Sequence, residues 1–330
     1  MRKRSLAALL AALALIAIPA AGSAGAAGPR VSEHDRIVAF WTPARQKSAI
    51  PRDFVRAGDK FVPKAKPGGG GGGGVTGASW NGGGLILKAS GKVYFVMGSS
   101  AYVCSGSVVN DSRNGATGKS LVLTAGHCAY DETNHAFATN WIFIPDYDDG
   151  PTLSNCNNTA YGCWTSEGLF VHNGFATAGG FNTQATIHDW AFAVVGNGGK
   201  AGAPSPQLDA TVGSFGITYS GIASGQKLYA FGYPAAGKYH GNDLTYCAGN
   251  IFTDNLNDDL TWGMACGMTG GSSGGPWLSS FTEGTGVGTL SSLNSYGYSG
   301  IKNMYGPKFN SETQAVYNAA NTGTGNHTVN

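Results

Sequence analysis

The sequence predicts an all-β protein. From residue 85 onward, short runs rich in Val, Ile, Phe and Tyr are separated by Gly, Asn, Asp and Ser, which is the pattern of strands joined by turns. No long amphipathic helix interrupts this pattern, apart from a candidate at residues 312–320. Roughly 250 residues follow a run of seven glycines at residues 68–74, enough for one large core or for two packed barrels. The clearest strand candidates are residues 93–97, 121–124, 141–144, 191–195, 227–231 and 287–290.

The first 26 residues have the composition of a secretory signal peptide. Arg2, Lys3 and Arg4 form a basic start, residues 6–18 form an apolar core, and residues 24–26 form an A-x-A-like cleavage site. Because the apolar core is too short to span a bilayer comfortably, we favour a secreted, extracellular protein over one held by a retained membrane anchor.

Residues 27–74 are interpreted as a basic pro-segment that ends in the glycine run. Through Lys66 the chain carries 12 Lys and Arg against 4 Asp and Glu, a net charge of +8, whereas the remainder carries 9 against 15, a net charge of −6. Opposite charges favour a pro-segment, called the leader below, that rests on the acidic domain. The alternative is a disordered tail without such contact. A glycine run behaves as a flexible tether, so we place the domain boundary there. The mature domain is then residues 75–330.

Residues 270–276, with the sequence GGSSGGP, place a serine where few side chains obstruct it. Glycine allows backbone angles that other residues avoid, so Ser273 is expected on an exposed tight turn. The amides of Gly271 and Ser273 can point at one spot, which is what an oxyanion hole requires. Taken alone, the run is equally explained as a flexible Gly/Ser loop.

Two other stretches supply the groups that a serine nucleophile needs. An apolar run leads into TAGHC at residues 124–128, which presents His127, and DWAFAVV at residues 189–195 opens a strand with Asp189. A serine hydroxyl is a poor nucleophile until a base removes its proton, and a carboxylate must hold that base in one tautomer. The chain therefore has a candidate for each of the three roles.

TAGHC, DWAFAVV and GGSSGGP resemble the three active-site blocks of the chymotrypsin-like (trypsin-fold) serine proteases and occur in that family's order. The similarity covers residues 93–307. It implies a serine endopeptidase in which His127 is the general base, Asp189 orients it, Ser273 is the nucleophile, and the amides of Gly271 and Ser273 bind the oxyanion. It also implies two packed six-stranded antiparallel β-barrels with the active site in the cleft between them, the first barrel supplying the histidine and aspartate and the second the serine.

Six cysteines without a C-x-x-C pair indicate disulfides formed after export and not a zinc site, although the sequence alone permits fifteen pairings. CSGSVV at residues 104–109 resembles the family's strand upstream of the histidine, whose cysteine pairs with the one beside the histidine. The other four cysteines are paired by proximity. The expected disulfides are Cys104 with Cys128, Cys156 with Cys163, and Cys247 with Cys266.

The sequence departs from animal members of the family just before the nucleophile, where it has Ser272 and they have aspartate. In those members the aspartate pairs with a new N-terminal ammonium group, but nothing near residue 75 resembles their Ile-Val-Gly-Gly start. We therefore expect the oxyanion loop to be ordered by its own hydrogen bonds and by strand packing. Secreted bacterial members, including the glutamyl-endopeptidase-like group, also lack the aspartate and are more similar to this chain.

The resemblance places the base of the pocket for the P1 side chain at Gly267, and its wall at Ser291, Ser292 and Leu293. Trypsin-like members carry an aspartate at the base, and glutamate-cleaving relatives use a histidine in the wall strand; neither is present here. We expect a neutral P1 residue, apolar or small. Ser291 is also expected to hydrogen-bond Asp189.

Two alternative functions differ in class from an endopeptidase. Residues 271–275 match the G-x-S-x-G elbow of α/β-hydrolases, which would give a serine esterase. That fold needs a catalytic histidine after the serine, however, and only His327 follows, in a polar tail. The other alternative is a catalytically silent secreted binding module on a protease fold, although such modules usually lose a triad residue.

Acyl transfer by a serine needs no metal or organic cofactor, so we expect neither. The acidic residues within 146–149 and 254–259 lack EF-hand spacing and are interpreted as solvated turns in preference to calcium sites. Expected partners are a protein or peptide substrate and the chain's own pro-segment. Nucleic acid is not expected, because the basic charge is not interleaved with aromatic residues and the folded part is acidic. We expect a monomer that has no membrane contact once the signal peptide is removed.

Overall fold

The computed structural model describes residues 31–58, 60–63, 74–111, 119–147, 156–202 and 206–330. The expected signal peptide and residues 68–73 of the glycine run lie outside these residues. Leader residues from Glu33 onward belong to the same unit as the remainder of the described chain, which runs to Asn330. The described part of the basic leader is therefore folded together with the rest of the protein.

Short strands make up most of the described chain. In chain order the strands are β1 (Ile50–Pro51), β2 (Phe54–Ala57), β3 (Lys60–Pro63), β4 (Val75–Ser79), β5 (Ser90–Met97), β6 (Ser100–Val109), β7 (Ser120–Thr124), β8 (Tyr130–Asp131), β9 (Ala136–Phe137), β10 (Thr139–Pro145), β11 (Trp164–His172), β12 (Ala191–Val195), β13 (Gly216–Ile217), β14 (Lys227–Gly232), β15 (Thr245–Asn250), β16 (Phe252–Thr253), β17 (Thr261–Ala265), β18 (Pro276–Thr282), β19 (Val287–Leu293), β20 (Tyr296–Tyr298), β21 (Asn303–Pro307) and β22 (His327–Val329).

Helices in the described residues are short. They are α1 (Glu33–Phe40), α2 (Pro43–Ser48), α3 (Gly84–Ala89), α4 (Asn173–Ala176), α5 (Thr183–Ile187), α6 (Leu208–Val212) and α7 (Ser311–Thr322), with 3-10 turns at Gly126–Cys128 and Asn255–Asn257. Among these helices, none is long and apolar enough to cross a membrane.

Six strands of the first half close into an antiparallel barrel in the order β6-β5-β10-β11-β12-β7, and β7 pairs back onto β6. Strands β7 and β12 are buried at every residue, which explains why residues 121–123 and 191–195 are all apolar. Strands β1 and β22 join the barrel by parallel pairing with β6 and β11. The predicted all-β class and the first six-stranded barrel are confirmed.

The second half consists of two six-stranded sheets, ordered β13-β19-β18-β14-β15-β4 and β16-β17-β21-β20-β2-β3. Register shifts interrupt the pairing of β18 with β19 and of β15 with β4, and such irregularities bend a sheet. Two leader strands, β2 and β3, complete the second of these sheets. The leader is thus integrated into the sheet that lies beside the predicted nucleophile.

The C-terminal helix confirms the one helical stretch expected in the sequence. Asn310 caps it by accepting hydrogen bonds from the backbone N–H groups of Glu312 and Thr313. Val316 and Ala320 are fully buried on its inner face. The helix then leads into β22, so the polar tail contributes a strand that the sequence pattern did not predict.

Three disulfides are present in the described residues. The first connects β6 to the 3-10 turn that contains the candidate base, and the third connects β15 to the residue after β17. The bonded pairs are Cys104 with Cys128, Cys156 with Cys163, and Cys247 with Cys266.

Candidate active site

The candidate base and its carboxylate meet inside the first barrel. His127 Nδ1 lies 2.8 Å from Asp189 Oδ2, and the His127 backbone N–H donates to Asp189 Oδ1 at 2.9 Å. Both side chains are fully buried. The register of β7 against β12 pairs Thr124 with Ala191, so the segment after one strand and the segment before the other lie side by side. A carboxylate at Nδ1 leaves Nε2 to accept a proton.

A third group fixes this carboxylate. Ser295 Oγ donates a hydrogen bond to Asp189 Oδ2. The prediction that Ser291 makes this contact is wrong, because Ser291 lies within β19 and its Oγ is 2.7 Å from Ser279 Oγ on the neighbouring strand. Only beyond the end of β19 does the chain reach the first barrel. The predicted residue lies four positions before the residue that makes the contact.

The candidate nucleophile lies on a turn held against the first barrel. Ser105 of β6 donates its Oγ–H to the Gly271 carbonyl at 2.8 Å and its backbone N–H to the Ser273 carbonyl at 2.7 Å. Cys128 Sγ, adjacent in the chain to His127, lies 3.8 Å from the same Ser273 carbonyl. The serine turn is therefore brought directly beside the histidine.

The turn requires glycine at its oxyanion position. Gly271 has φ +96°, a conformation that residues with a Cβ rarely adopt. A Cβ there would lie 2.8 Å from the backbone nitrogen of Ala235 and 3.0 Å from the carbonyl oxygen of Tyr233. The backbone of this glycine is thus closely packed on the chain that follows β14.

Hydrogen bonds within the loop supply its order. Ser272 Oγ donates to the Thr269 carbonyl at 2.8 Å, and the Gly275 N–H donates to the Ser272 carbonyl at 2.9 Å. Asn294 Nδ2 donates to the same Ser272 carbonyl at 3.0 Å and to the Phe231 carbonyl at 2.7 Å. In place of a charge pair, the loop has this set of neutral bonds, as its sequence led us to expect.

The leader covers the candidate catalytic groups. Only 2% of Ser273 is exposed, and His127 is completely buried. The ring of leader residue Phe54 stands edge-on to the His127 ring at 5.5 Å and stacks on Phe181 at 4.0 Å. Among the described residues, His127 Nε2 has no hydrogen-bond partner. The described form therefore has the histidine–aspartate bond but not the serine–histidine bond.

The residues predicted to form the P1 pocket contact other parts of the second half of the molecule. The Gly267 N–H donates to the Thr76 carbonyl at 3.1 Å, so the predicted pocket base lies against β4. Ser292 Oγ donates to the Pro307 carbonyl at 2.7 Å, and Leu293 is fully buried. The leader pairs instead with Tyr296–Tyr298. The strand that pairs with the leader is therefore β20, and residues 291–293 remain the predicted pocket wall.

Asp254 lies beneath strand β20. The sequence predicts a solvated turn at this position, but Asp254 is 1% exposed. Its Oδ2 accepts hydrogen bonds from the hydroxyls of Tyr296 at 2.6 Å and Tyr298 at 2.7 Å. Burial, followed by the nearby Asp254 carboxylate, raises the pKa of both tyrosines. Two tyrosines two residues apart share a strand face, and their hydroxyls need partners when buried. This spacing is the feature of the sequence that indicates a buried acceptor such as Asp254.

One group of side chains outside the triad offers metal-binding atoms. Ligand atoms of His172, His188 and Glu312 lie within 4.8 Å of one another. The two imidazole rings stack at 4.4 Å with 15° between their planes, and His188 Nε2 lies 3.3 Å from Glu312 Oε2. Parallel stacking directs the ring nitrogens alongside each other and not toward one central ion. These contacts account for the cluster without a metal.

Comparison with known proteins agrees with this geometry. Residues 84–168 match the family model of the lysyl endopeptidase C-terminal domain. The protease Anisep from Arthrobacter nicotinovorans is 36% identical with a TM-score of 0.60, and the match covers 72% of this chain and 96% of that one. The thermostable serine protease AL20 from an extremophilic microorganism is 34% identical with a TM-score of 0.60, covering 72% and 99%. No curated protein matches the chain.

A more distant structure shares the fold alone. A Glu endopeptidase is 17% identical with a TM-score of 0.54, and the match covers 76% of this chain and 99% of that one. The two nearer structures are more than 30% identical over almost their whole length. Together with the closed first barrel and the order of the three motifs, these matches show that the chain belongs to the chymotrypsin-like serine proteases.

Proposed function

We propose that this protein is a secreted serine endopeptidase that hydrolyses peptide bonds through an acyl-enzyme on Ser273. The observation that carries the proposal is the buried His127–Asp189 pair, with Ser295 bonded to the carboxylate and the serine turn packed against the same 3-10 turn. A buried carboxylate bonded to a histidine in this way has a direct use in activating a serine.

In the proposed reaction, Ser273 Oγ attacks the peptide carbonyl carbon while His127 Nε2 takes the hydroxyl proton. Asp189 stabilises the resulting imidazolium, and the amides of Gly271 and Ser273 donate to the oxyanion. Collapse of the tetrahedral intermediate breaks the C–N bond, and His127 returns its proton to the leaving amine. Water then attacks the acyl-enzyme by the same steps, which releases the carboxylic acid and restores the serine.

Replacement of the nucleophile tests the proposal. We expect Ser273→Ala to lower turnover by about 10⁶-fold, since removing a triad serine disables the whole unit. The matched control is Ser224→Ala, which changes an exposed serine outside the site. The measurements are peptide hydrolysis and labelling of the secreted protein by a fluorophosphonate, with mass spectrometry of the modified peptide.

The same mass spectrum reports the N-terminus, which we expect between residues 75 and 81 once the leader has been removed. An N-terminus at residue 27 in the active secreted protein would contradict removal of the leader. Less than a tenfold loss in Ser273→Ala would remove this serine from its role. A folded, processed protein without any adduct would favour the alternative of a silent binding module.

We further propose a preference for neutral P1 residues, apolar or small. Residues 287–298, which include β19 and β20, contain no ionisable side chain except the two tyrosines bound to Asp254, and Gly267 supplies no charge at the predicted pocket base. A charged P1 side chain would lose its hydration without gaining an ion pair. A peptide library cleaved chiefly after Arg, Lys or Glu would contradict this preference.

A further inference from the structure

We propose that the active-site cleft binds the chain's own leader as a strand parallel to β6 and β20 and does not cleave it, so that residues 50–57 keep Ser273 inaccessible until they leave. The proposal rests on the proposed function, because it concerns the regulation of the same site. It identifies the cleft's partner as a segment of this chain.

The leader crosses from one half of the molecule to the other. Strand β1 pairs in parallel with β6, with Ile50 opposite Tyr102. Six residues later, β2 pairs in parallel with β20, with Arg56 opposite Tyr298. The Ser299 N–H also donates to the Arg56 carbonyl at 3.0 Å. Because β6 belongs to the first barrel and β20 to a sheet of the second half, the intervening residues span the cleft.

Those intervening residues touch the serine turn. A Cβ placed on Gly270 would lie 2.8 Å from Pro51 Cβ and 3.0 Å from Asp53 Cβ. Gly270 immediately precedes the oxyanion glycine. The leader therefore passes in van der Waals contact with the loop that carries Ser273, which explains why this serine is almost fully buried.

A charged anchor holds the leader at the histidine. Arg52 donates one guanidinium N–H to the His127 carbonyl and forms an ion pair with Glu132 at 2.8 Å. The Arg52 side chain is 10% exposed and that of Glu132 is 2% exposed, so the pair is shielded from solvent screening. A charge-assisted bond of this kind is stronger than a neutral one. This contact is a specific form of the attraction expected from the opposite charges of leader and domain.

An aromatic cover completes the contact. Phe54 packs on the rings of His127 and Phe181. Phe61 of β3 packs edge-on against Phe181 at 5.4 Å and against Tyr296 at 5.4 Å. These contacts withdraw the imidazole from water, so the catalytic base and the nucleophile are covered together.

The arrangement places no peptide bond in position for hydrolysis. Cleavage requires a carbonyl oxygen at the amides of Gly271 and Ser273 and a leaving nitrogen beside His127 Nε2. In the described part of the chain, no carbonyl accepts a hydrogen bond from either amide, and Nε2 is unpartnered. The described leader residues 50–57 therefore fill the cleft without presenting a scissile bond, which makes this segment an inhibitor and not a substrate.

Labelling kinetics of the full chain test the inference. The rate of fluorophosphonate addition to Ser273 is measured in the unprocessed protein, identified by intact mass, for Arg52→Ala and Phe54→Ala. We expect labelling on the order of ten- to a hundredfold faster than in the parent chain, because each change removes a buried contact that closes the cleft. The matched controls are Arg36→Ala and Phe40→Ala in α1. Arg36 makes its ion pair with Glu33 on the exposed surface of that helix.

Equal labelling rates in the parent and both leader variants would overturn the proposal, as would cleavage within residues 50–57 during incubation of the parent. A second readout does not depend on activity. In a Ser273→Ala background, we expect the Ser299 amide to be protected from hydrogen exchange and to lose that protection in Arg52→Ala and Phe54→Ala. Absent protection in the parent would also refute the docking. If protection is present but no leader-free protein reacts with the probe, the proposed function fails while the docking stands.

Discussion

At the scale of single residues, the proposed catalysis depends on backbone positions as much as on side chains. The amide of Gly271 is aimed by a positive φ that the close approach of Ala235 enforces. Its carbonyl is held by Ser105 from the other half of the molecule. One glycine thus connects the oxyanion site to the barrel that carries the base.

We predict that Gly271→Ala lowers kcat by about 10²- to 10³-fold, the cost of losing one oxyanion donor. The added methyl group collides with the backbone of Ala235 and Tyr233. The loop must therefore move, and the amide of residue 271 no longer points toward the oxyanion. The matched control is Gly98→Ala, where φ is also positive but no atom lies within 4 Å of the added carbon. The measurements are kcat and KM on a peptide substrate together with thermal unfolding. Equal losses of activity in both variants would show that backbone strain, and not the orientation of the Gly271 amide, causes the loss.

At the scale of elements, strand β20 depends on a buried carboxylate beneath it. Asp254 accepts from the hydroxyls of Tyr296 and Tyr298 at opposite ends of the strand. It also accepts from Thr261 Oγ1 at 3.3 Å. These hydrogen bonds fix the position of β20, the strand that pairs with the leader. Asp254 is therefore a positioning residue for whatever peptide pairs with β20.

We predict that Asp254→Asn raises KM about five- to tenfold and changes kcat less. An amide offers one acceptor oxygen in place of two charged ones, and hydrogen bonds to charged groups contribute about 1.5–3 kcal/mol. The matched control is Asp258→Asn, at an exposed position with a left-handed backbone that asparagine tolerates. Steady-state kinetics on peptides of increasing length provide the measurement. A fall in kcat with unchanged KM would contradict the assignment.

At the scale of the whole molecule, the buried Lys92 makes folding stability depend on pH. Lys92 lies on β5, is 5% exposed, and donates to the Gly241 carbonyl at 3.0 Å. Its ammonium group also lies 4.5 Å from the centre of the Tyr147 ring. Burial lowers the pKa of Lys92 to about 8. Because the unfolded chain binds this proton more tightly, the destabilisation is fully present below pH 8 and is relieved as pH rises toward the unfolded pKa.

We predict that the free energy of unfolding rises by about 1–3 kcal/mol between pH 7.5 and 10. Lys92→Met should flatten this rise, whereas the matched control Lys88→Met, at an exposed position in α3, should retain it. Urea unfolding in a Ser273→Ala background, which prevents self-digestion, provides the measurement. Burial raises the pKa values of Tyr94 and Tyr147, which pack near Lys92. The measurement stops at pH 10 so that deprotonation of these tyrosines does not contribute to the change. A flat profile in the parent would contradict the prediction.

The sequence by itself determined the all-β class, the first barrel and the residues proposed as the triad. These features are local: strand periodicity, turn glycines and the short motifs around His127, Asp189 and Ser273 can each be seen within a few residues of chain. The ordering of the serine loop is only partly local, since Ser272 bonds within the loop whereas Asn294 and Ser105 reach it from more distant parts of the chain.

Only the tertiary structure decided which residues outside the motifs serve the site. Ser295 contacts Asp189 across 106 positions of the chain, and Asp254 contacts Tyr298 across 44. The leader's place across the cleft likewise depends on strand pairings and an Arg52–Glu132 ion pair that no local pattern encodes. The physical reason is that burial and partner choice are properties of the packed chain. The sequence around an aspartate in a polar stretch is the same whether its carboxylate faces water or two buried tyrosines.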